Sequence, residues 1–157
     1  MSVVKELVEN SIDAGSTAVT VEIKDGGISY IRVTDNGSGI EADEVRKAYM
    51  RHATSKLETA DDLNGIMSLG FRGEALSTIA AVTETEMITK TADSLTGIKY
   101  VISGGREVEL SEIGAPNGTT IIAKNIFFNT PARLKFLKTA MTESSYINDL
   151  MIRIAMS

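Results

Sequence analysis

The sequence predicts an α+β fold, a two-layer sandwich in which helices cover one face of a mostly antiparallel sheet. Three observations support this prediction. Some segments repeat apolar residues at helical spacing, others alternate apolar and polar residues strictly, and glycine pairs separate neighbouring alternating segments. Helices with one apolar stripe, packed on a sheet with one apolar face, produce two layers around a single core.

The N-terminal third predicts a helix followed by a hairpin. The helix carries its apolar residues at Val3, Val4, Leu7, Val8 and Ile12, and Gly15 supplies a C-cap. Residues 17–25 and 28–35 then alternate as strands on either side of the Gly26-Gly27 turn.

The remaining elements are two helices, four strands and a closing helix. Helical patterns run over about 41–50 and 73–82, and a long polar, glycine-bearing connection separates them. The predicted strands, which we interpret as an antiparallel meander, are 85–92, 97–103, 106–112 and 118–125. Residues 142–156 predict a final helix with one apolar face.

Composition excludes several classes of protein. The 157 residues, 43% of them hydrophobic, suit one globular domain, and a net charge of -5 lacks the footprint of an autonomous nucleic-acid binder. With no cysteine, one histidine and no HExxH pattern, a disulfide scaffold, a transition-metal enzyme or a Ser-His-Asp hydrolase is disfavoured. No apolar run reaches membrane-spanning length, so we expect a reducing, cytoplasmic setting; a hard cation bound by oxygen ligands stays open.

Three glycine-bearing loops interrupt the scaffold, at 35–40, 68–75 and 114–121. None contains the GxxxxGK[ST] pattern of a phosphate loop or the GxGxxG pattern of a dinucleotide turn. The segment GFRGEAL at 70–76 would nevertheless expose backbone N–H groups at a helix N-terminus, which is a favourable place for an anion, and Arg72 would add positive charge.

Six ordered segments resemble the ATP-binding region of the MutL family of DNA mismatch repair proteins. They are ELVENSIDAG, DNGSGI, RHATSK, GFRGEAL, GTT and FFNTPARLKFL, which together extend over essentially the whole chain. The first, second, fourth and fifth are also similar to the wider ATPase superfamily of gyrase, heat-shock chaperones and histidine kinases. RHATSK and NTPAR point to the MutL branch.

The resemblance implies roles for two residues of the first helix. Glu6 would be the general base that orients the attacking water, and Asn10 would bind ATP-associated Mg²⁺ through its amide oxygen. These residues stand at i and i+4, so one helix face presents both side chains. A carboxylate next to a triphosphate keeps its proton more readily than one in water, which suits a base.

The resemblance also implies an adenine pocket and a lid. Asp35 would accept a hydrogen bond from the adenine amino group, with Gly37 and Gly39 turning the chain against the base. Thr120 would support the adenine through its hydroxyl group, with Thr119 as the less favoured candidate. The lid residues around the phosphates would be Thr54, Ser55, Lys56, Leu69, Gly70, Phe71, Arg72 and Gly73.

Each segment by itself has a structural interpretation. An acidic helix is usually a solvated face, DNGSG is usually a turn, and His52 is a surface or capping residue. We interpret the basic cluster of Arg133, Lys135 and Lys138 as a solvated face, with contact to DNA or a partner as the alternative. The order of the six segments is what favours the functional interpretation.

Family members carry an N-terminal arm before the first motif and a transducer-like domain that supplies a lysine to the γ-phosphate. The resemblance thus implies that residues 1–157 form a single ATP-binding domain, truncated at the N-terminus and lacking the domain that follows. We expect weakened nucleotide binding and slow hydrolysis from such a piece.

The implied function is an ATP-driven switch in DNA mismatch repair. It would dimerise with nucleotide and act with mismatch repair partner proteins, with DNA reached through the parent protein, in the cytoplasm and near the nucleoid of a bacterium. The alternative is a catalytically silent folded module that binds only nucleotide or a partner.

Overall fold

A computed structural model of the chain describes residues 3–50 and 75–139, with side chains described as far as residue 136. The elements are α1 (Val3–Asp13), β1 (Val19–Lys24), a 3₁₀ turn (Asp25–Gly27), β2 (Tyr30–Asp35), α2 (Ala42–Ala48), α3 (Ala75–Ala81), β3 (Glu84–Lys90), β4 (Gly97–Ser103), β5 (Arg106–Ile113), β6 (Gly118–Lys124) and α4 (Pro131–Thr139). In this part of the chain the six strands form one antiparallel sheet, which confirms the predicted α+β class.

Helix α1 packs its apolar stripe on the sheet, and its end follows from the predicted C-cap. Val4, Leu7 and Val8 are at most 1% exposed, and the helix contacts β2. Gly15 takes φ +77°, and its N–H donates to the carbonyl oxygen of Ile12 at 3.0 Å. The left-handed residue reverses the chain and directs it into β1.

The predicted N-terminal hairpin is confirmed. Strands β1 and β2 pair antiparallel with Val21 opposite Val33. The turn between them places three successive residues at positive φ, namely Asp25 (53°), Gly26 (64°) and Gly27 (91°). The two glycines adopt this conformation without the steric cost that a Cβ atom brings.

The second half is not the simple meander that we predicted. The strand order is β1-β2-β6-β3-β4-β5, so β3, β4 and β5 follow one another while β6 returns to the centre between β2 and β3. Both edges of β6 are therefore paired, and Ile121 and Ala123 are buried. This central strand joins the N-terminal hairpin to the other three strands.

The two faces of the sheet differ in chemistry. Val33, Met87 and Ile121 are opposite one another on neighbouring strands and are buried under the helices. On the other face, Arg32 pairs with Glu22 at 3.0 Å and Lys99 approaches Glu86 at 4.0 Å. Alternation along each strand thus creates one core and one polar face.

Helix α4 was missing from the sequence-based prediction. Pro131 occupies its first turn, and the N–H groups of Arg133 and Leu134 donate to the carbonyl oxygen of Thr130 at 3.0 and 3.1 Å. Proline at a first helical position after threonine is a local start signal that could have predicted the helix. The predicted helix at 142–156 lies outside the described residues.

Candidate functional site

A cavity of about 340 Å³ lies between α1, α2, α3 and the inner face of the sheet. Its apolar lining comes from residues of all three helices, the central strands and the loop after β2: Leu7, Ala14, Val33, Ile40, Ala48, Leu76, Met87 and Ile121. Polar groups enter at Asn10, Ser11, Asp35, Lys47 and Thr119. An apolar cleft with a few convergent polar groups is the usual form of a small-molecule site.

Asp35 is the last residue of β2, and one of its carboxylate oxygens already has two partners. Its Oδ1 accepts the backbone N–H of Gly37 at 2.9 Å and that of Thr119 at 3.2 Å. Among the described residues no N–H or O–H group donates to Oδ2. The carboxylate therefore fixes the local backbone with one oxygen and keeps an acceptor in the other.

The loop after Asp35 is attached to the protein on both sides. Asn36 accepts the N–H groups of Thr17 and Ala18 through Oδ1, at 2.9 and 3.0 Å, and donates through Nδ2 to the Thr17 hydroxyl at 2.8 Å. The N–H of Ser38 donates to the carbonyl oxygen of Ala14 at 3.0 Å. Asn36 was not among the predicted site residues, although an Asn before glycine is a known turn signal.

The two predicted loop glycines are required by close backbone contacts. A Cβ atom on Gly37 would lie 2.8 Å from the Cβ of Ala14, and one on Gly39 would lie 2.1 Å from the carbonyl oxygen of Lys90. Gly39 also takes φ +73°. Gly39 lines the cavity, whereas Gly37 is buried against the end of α1. Both glycines let the loop approach its neighbours closely enough to shape the cavity wall.

The structure brings Thr119, and not the predicted Thr120, to the cavity. Thr119 is opposite Asp35 in the β2–β6 pair, on the face that carries the core. Thr120 is on the other face, where its hydroxyl donates to that of Thr34 at 3.3 Å. Consecutive strand residues point to opposite faces, so only one of the two threonines reaches the site.

Helix α1 places the predicted Glu6 and Asn10 one turn apart. Asn10 lines the cavity; Glu6, 8% exposed, is buried one turn closer to the N-terminus and is not among the described lining residues. Burial raises the pKa of the Glu6 carboxyl above its ordinary value, and the negative charge of Glu9 raises it further, while Lys5 opposes the shift. A buried carboxyl with a raised pKa is well suited to exchange protons.

The predicted lid residues Thr54, Ser55, Lys56, Leu69, Gly70, Phe71, Arg72 and Gly73 lie outside the described residues, as does His52. Lys47 and Ala48 of α2, neither of which we predicted, also line the cavity. Lys47 is more than half exposed and approaches Glu44 at 3.6 Å. Its position just before RHATSK was the only signal in the sequence.

No group of three or more His, Cys, Asp or Glu side chains in residues 3–50 and 75–139 could hold a metal ion. Asn10 brings an amide oxygen to the cavity wall, which suits Mg²⁺, because this ion commonly takes few protein ligands and completes its coordination with phosphates and water. No helix in the described part of the chain is long and apolar enough to cross a membrane.

Comparison with known proteins identifies the family of this chain. Residues 1–111 match the family described as Histidine kinase-, DNA gyrase B-, and HSP90-like ATPase. The DNA mismatch repair protein MutL of Agathobacter rectalis is 65% identical over 99% of this chain, and that of Desulforamulus reducens is 53% identical over 100% of it. The chain spans 24% of the length of each of these relatives.

A solved structure, the Aquifex aeolicus MutL ATPase domain complexed with ADP, is 31% identical and superposes with a TM-score of 0.72. The match covers 96% of this chain and 53% of the other. A second, the N-terminal domain of a DNA repair protein, is 30% identical with a TM-score of 0.77, covering 95% of this chain and 44% of that one.

The chain belongs to the family of histidine kinase-, DNA gyrase B- and HSP90-like ATPases. Within this family, its sequence is similar to MutL DNA mismatch repair proteins across essentially the whole chain, and its fold is similar to that of the Aquifex aeolicus MutL ATPase domain.

Proposed function

We propose that the cavity beside Asp35 holds the adenine of ATP. The observation that carries this proposal is the pairing of Asp35 and Thr119 in the wall of a mostly apolar cavity. The free Oδ2 of Asp35 is an acceptor for the adenine amino group, whereas guanine has a carbonyl oxygen at the corresponding position. The site should therefore prefer adenine to guanine nucleotides.

Asn10 and Glu6 are the groups that we assign to metal and water. The amide oxygen of Asn10 is the described protein ligand best placed for Mg²⁺, which when bound neutralises phosphate charge. The Glu6 carboxylate, one turn away on the same helix, orients and deprotonates the water that attacks the γ-phosphate. Because its pKa is raised, Glu6 takes up a proton more readily than an exposed glutamate does.

The phosphates are assigned to cations and loop amides beyond the cavity mouth. Lys47 is the described cation on the cavity wall, so it is our candidate for a phosphate contact from α2. The segments that hold Thr54, Ser55, Lys56 and 69–73 follow in the sequence and are proposed as the lid that completes this part of the site.

At the level of the whole protein, we propose an ATP-driven switch in DNA mismatch repair, with residues 1–157 as its single ATP-binding domain. The support is the similarity to MutL proteins across essentially the whole chain. Nucleotide-dependent dimerisation, contacts with mismatch repair partner proteins and a cytoplasmic location belong to this proposal. ATP can drive such a switch only if it binds one conformation more tightly than the other.

Titration calorimetry with ADP and Mg²⁺ on the wild-type chain and on Asp35→Asn tests the proposal. Asparagine keeps Oδ1 for the two backbone N–H groups but replaces Oδ2 with a donor that opposes the adenine amino group. We expect binding by the wild type, a loss of about 10-fold or more in Asp35→Asn, and unchanged stability. Equal binding by the two proteins, or none by the wild type, would refute the proposed adenine site.

A further inference from the structure

Thr89, near the end of β3, is a buried hydroxyl that joins three segments around the cavity. The residue is 1% exposed. Its Oγ1 accepts the backbone N–H of Ile40 at 2.9 Å and lies 2.8 Å from the hydroxyl oxygen of Thr119 and 3.2 Å from the carbonyl oxygen of Gly118. The loop after β2 and the start of β6 thus meet at one side chain that does not itself line the cavity.

The number of hydrogens at this junction limits what Thr119 can present to a ligand. A hydroxyl has one hydrogen and two lone pairs, and the N–H of Ile40 occupies one lone pair of Thr89. If Thr89 donates to Gly118, Thr119 donates to Thr89 and shows only lone pairs to the cavity. If Thr89 donates to Thr119, the hydrogen of Thr119 is free to point into the cavity.

The second arrangement complements the adenine edge. Asp35 provides an acceptor for the amino group, and the neighbouring ring nitrogen of adenine, N1, is an acceptor that requires a donor. The Thr89 hydroxyl can donate to either the Thr119 hydroxyl or the carbonyl oxygen of Gly118. The Thr119 oxygen is the nearer of the two, at 2.8 Å against 3.2 Å. Thr119 with a free hydrogen places a donor beside the acceptor of Asp35.

Thr89 also anchors the loop that forms part of the cavity wall. Lys90, the next residue, presses its carbonyl oxygen against Gly39, where no Cβ atom would fit. Ile40 then donates its N–H to Thr89. The end of β3 therefore holds the loop by one steric contact and one hydrogen bond, and both are adjacent to the proposed adenine pocket.

We propose that Thr89 is a positioning residue for adenine recognition. Its hydroxyl donates to Thr119, so that Thr119 keeps its own hydrogen for the N1 atom of the purine, while its lone pair holds the loop at Ile40. This inference rests on the proposed adenine site.

The test compares the full chain with Thr89→Val, which keeps the shape and removes the hydroxyl, and with Thr89→Ser, which keeps the hydroxyl. Thr85→Val is the matched control, because Thr85 is equally buried on the same strand but its hydroxyl pairs with Thr83 at 2.6 Å, away from the cavity lining. Calorimetry measures the Kd for ADP and for 1-deaza-ADP, in which a C–H group replaces N1. Thermal unfolding measures the stability of each variant.

We expect Thr89→Val to weaken ADP binding about 10-fold, with Thr89→Ser and Thr85→Val within about 2-fold of the wild type. The wild type should bind 1-deaza-ADP less tightly than ADP, and Thr89→Val should reduce that preference. The proposal is overturned if Thr89→Val folds and binds ADP like the wild type, if Thr85→Val is equally impaired, or if Thr89→Val weakens both ligands by the same factor.

Two further proteins keep the outcome decisive. If Thr89→Val does not fold, Thr119→Val takes its place in the test, because this substitution removes the donor itself. Equal affinity of Thr119→Val for ADP and 1-deaza-ADP supports the proposal. A retained preference for ADP overturns it. Asp35→Asn separates this inference from the proposed site. The proposed adenine site is wrong if the wild type does not bind ADP or if Asp35→Asn binds ADP as tightly as the wild type does. If only the role of Thr89 is wrong, the wild type still binds ADP more tightly than Asp35→Asn.

Discussion

Asp35 and Thr119 face each other across the β2–β6 strand pair, and the backbone N–H of Thr119 donates to Oδ1 of Asp35 at 3.2 Å. One carboxylate oxygen thus links the end of β2 to β6 and to the loop at Gly37, while the other keeps an acceptor at the cavity. Asp35 therefore contributes both to the fold and to the site. A substitution of Asp35 tests ligand binding without disturbing folding only if it preserves the Oδ1 atom.

The adjacent threonines of β6 should differ sharply in their effect on nucleotide binding. Thr119→Val removes a hydroxyl from the cavity wall and should raise the Kd for ADP about 10-fold. Thr120→Val removes a hydroxyl that pairs with Thr34 on the other face and should leave the Kd unchanged. Titration calorimetry on both variants checks this, and the reverse pattern would restore Thr120 as the adenine residue.

Gly39→Ala should destabilise the fold much more than Gly15→Ala. Both glycines have positive φ, +73° and +77°, so both substitutions carry the conformational cost of about 1 kcal/mol. At Gly15 nothing lies within 4 Å of the added Cβ atom, but at Gly39 the carbonyl oxygen of Lys90 would be only 2.1 Å away. We expect a loss of about 3 kcal/mol or more in the free energy of unfolding for Gly39→Ala.

Urea denaturation of the two glycine variants measures that difference. The added loss at Gly39 reports the steric contact alone, because the backbone conformations match. Similar losses of unfolding free energy in the two variants would mean that β3 and the loop move apart easily. The close packing of Gly39 against Lys90 would then contribute nothing to stability.

Glu6→Gln should make the nucleotide-free domain more stable at neutral pH while strongly slowing hydrolysis. The pKa of Glu6 is raised in the folded state, mainly by burial, so the folded state binds the proton more tightly than the unfolded chain does. Its stabilising contribution is complete below the ordinary value of 4.5 and is lost as the pH rises through the folded-state pKa. Glutamine removes that loss because it carries no charge.

Thermal unfolding between pH 4 and pH 8 checks the sign. The melting temperature of Glu6→Gln should exceed that of the wild type at pH 7 and approach it at the acidic end, whereas the exposed control Glu41→Gln should follow the wild type. ATP hydrolysis should fall about 100-fold or more in Glu6→Gln with ADP affinity retained. A variant that is less stable at pH 7, or that hydrolyses ATP normally, would contradict the role of Glu6.

Lys47→Met should weaken ADP binding without affecting adenosine. Lys47 lines the cavity from α2 with a largely exposed side chain, and we assign its charge to the phosphates rather than to the base. We expect a loss of about fivefold for ADP at low salt, which shrinks as ionic strength rises. Lys124→Met, an exposed lysine at the far end of β6, is the control; equal effects on ADP and adenosine would place Lys47 at the base instead.

Much of the fold could be predicted because its signals are local. The apolar stripe of α1, its C-cap at Gly15 and the Gly26-Gly27 turn all depend on neighbours within a few residues, and the structure has each of them. The start of α4 at Thr130-Pro131 is equally local, although the sequence-based prediction did not include this helix. The family itself followed from the order of six motifs, which requires no coordinates.

Patterns along the chain were enough to predict most of the helices and strands, the ATPase family, and Asp35 with its glycine loop as candidate site residues. The position of β6 between β2 and β3 emerges only in the folded protein, and with it the facts that Thr119 rather than Thr120 reaches the cavity and that Thr89 meets both Thr119 and Ile40. Alternation along a strand defines two faces but does not say which face the helices cover. That choice depends on the register with partner strands far away in the chain.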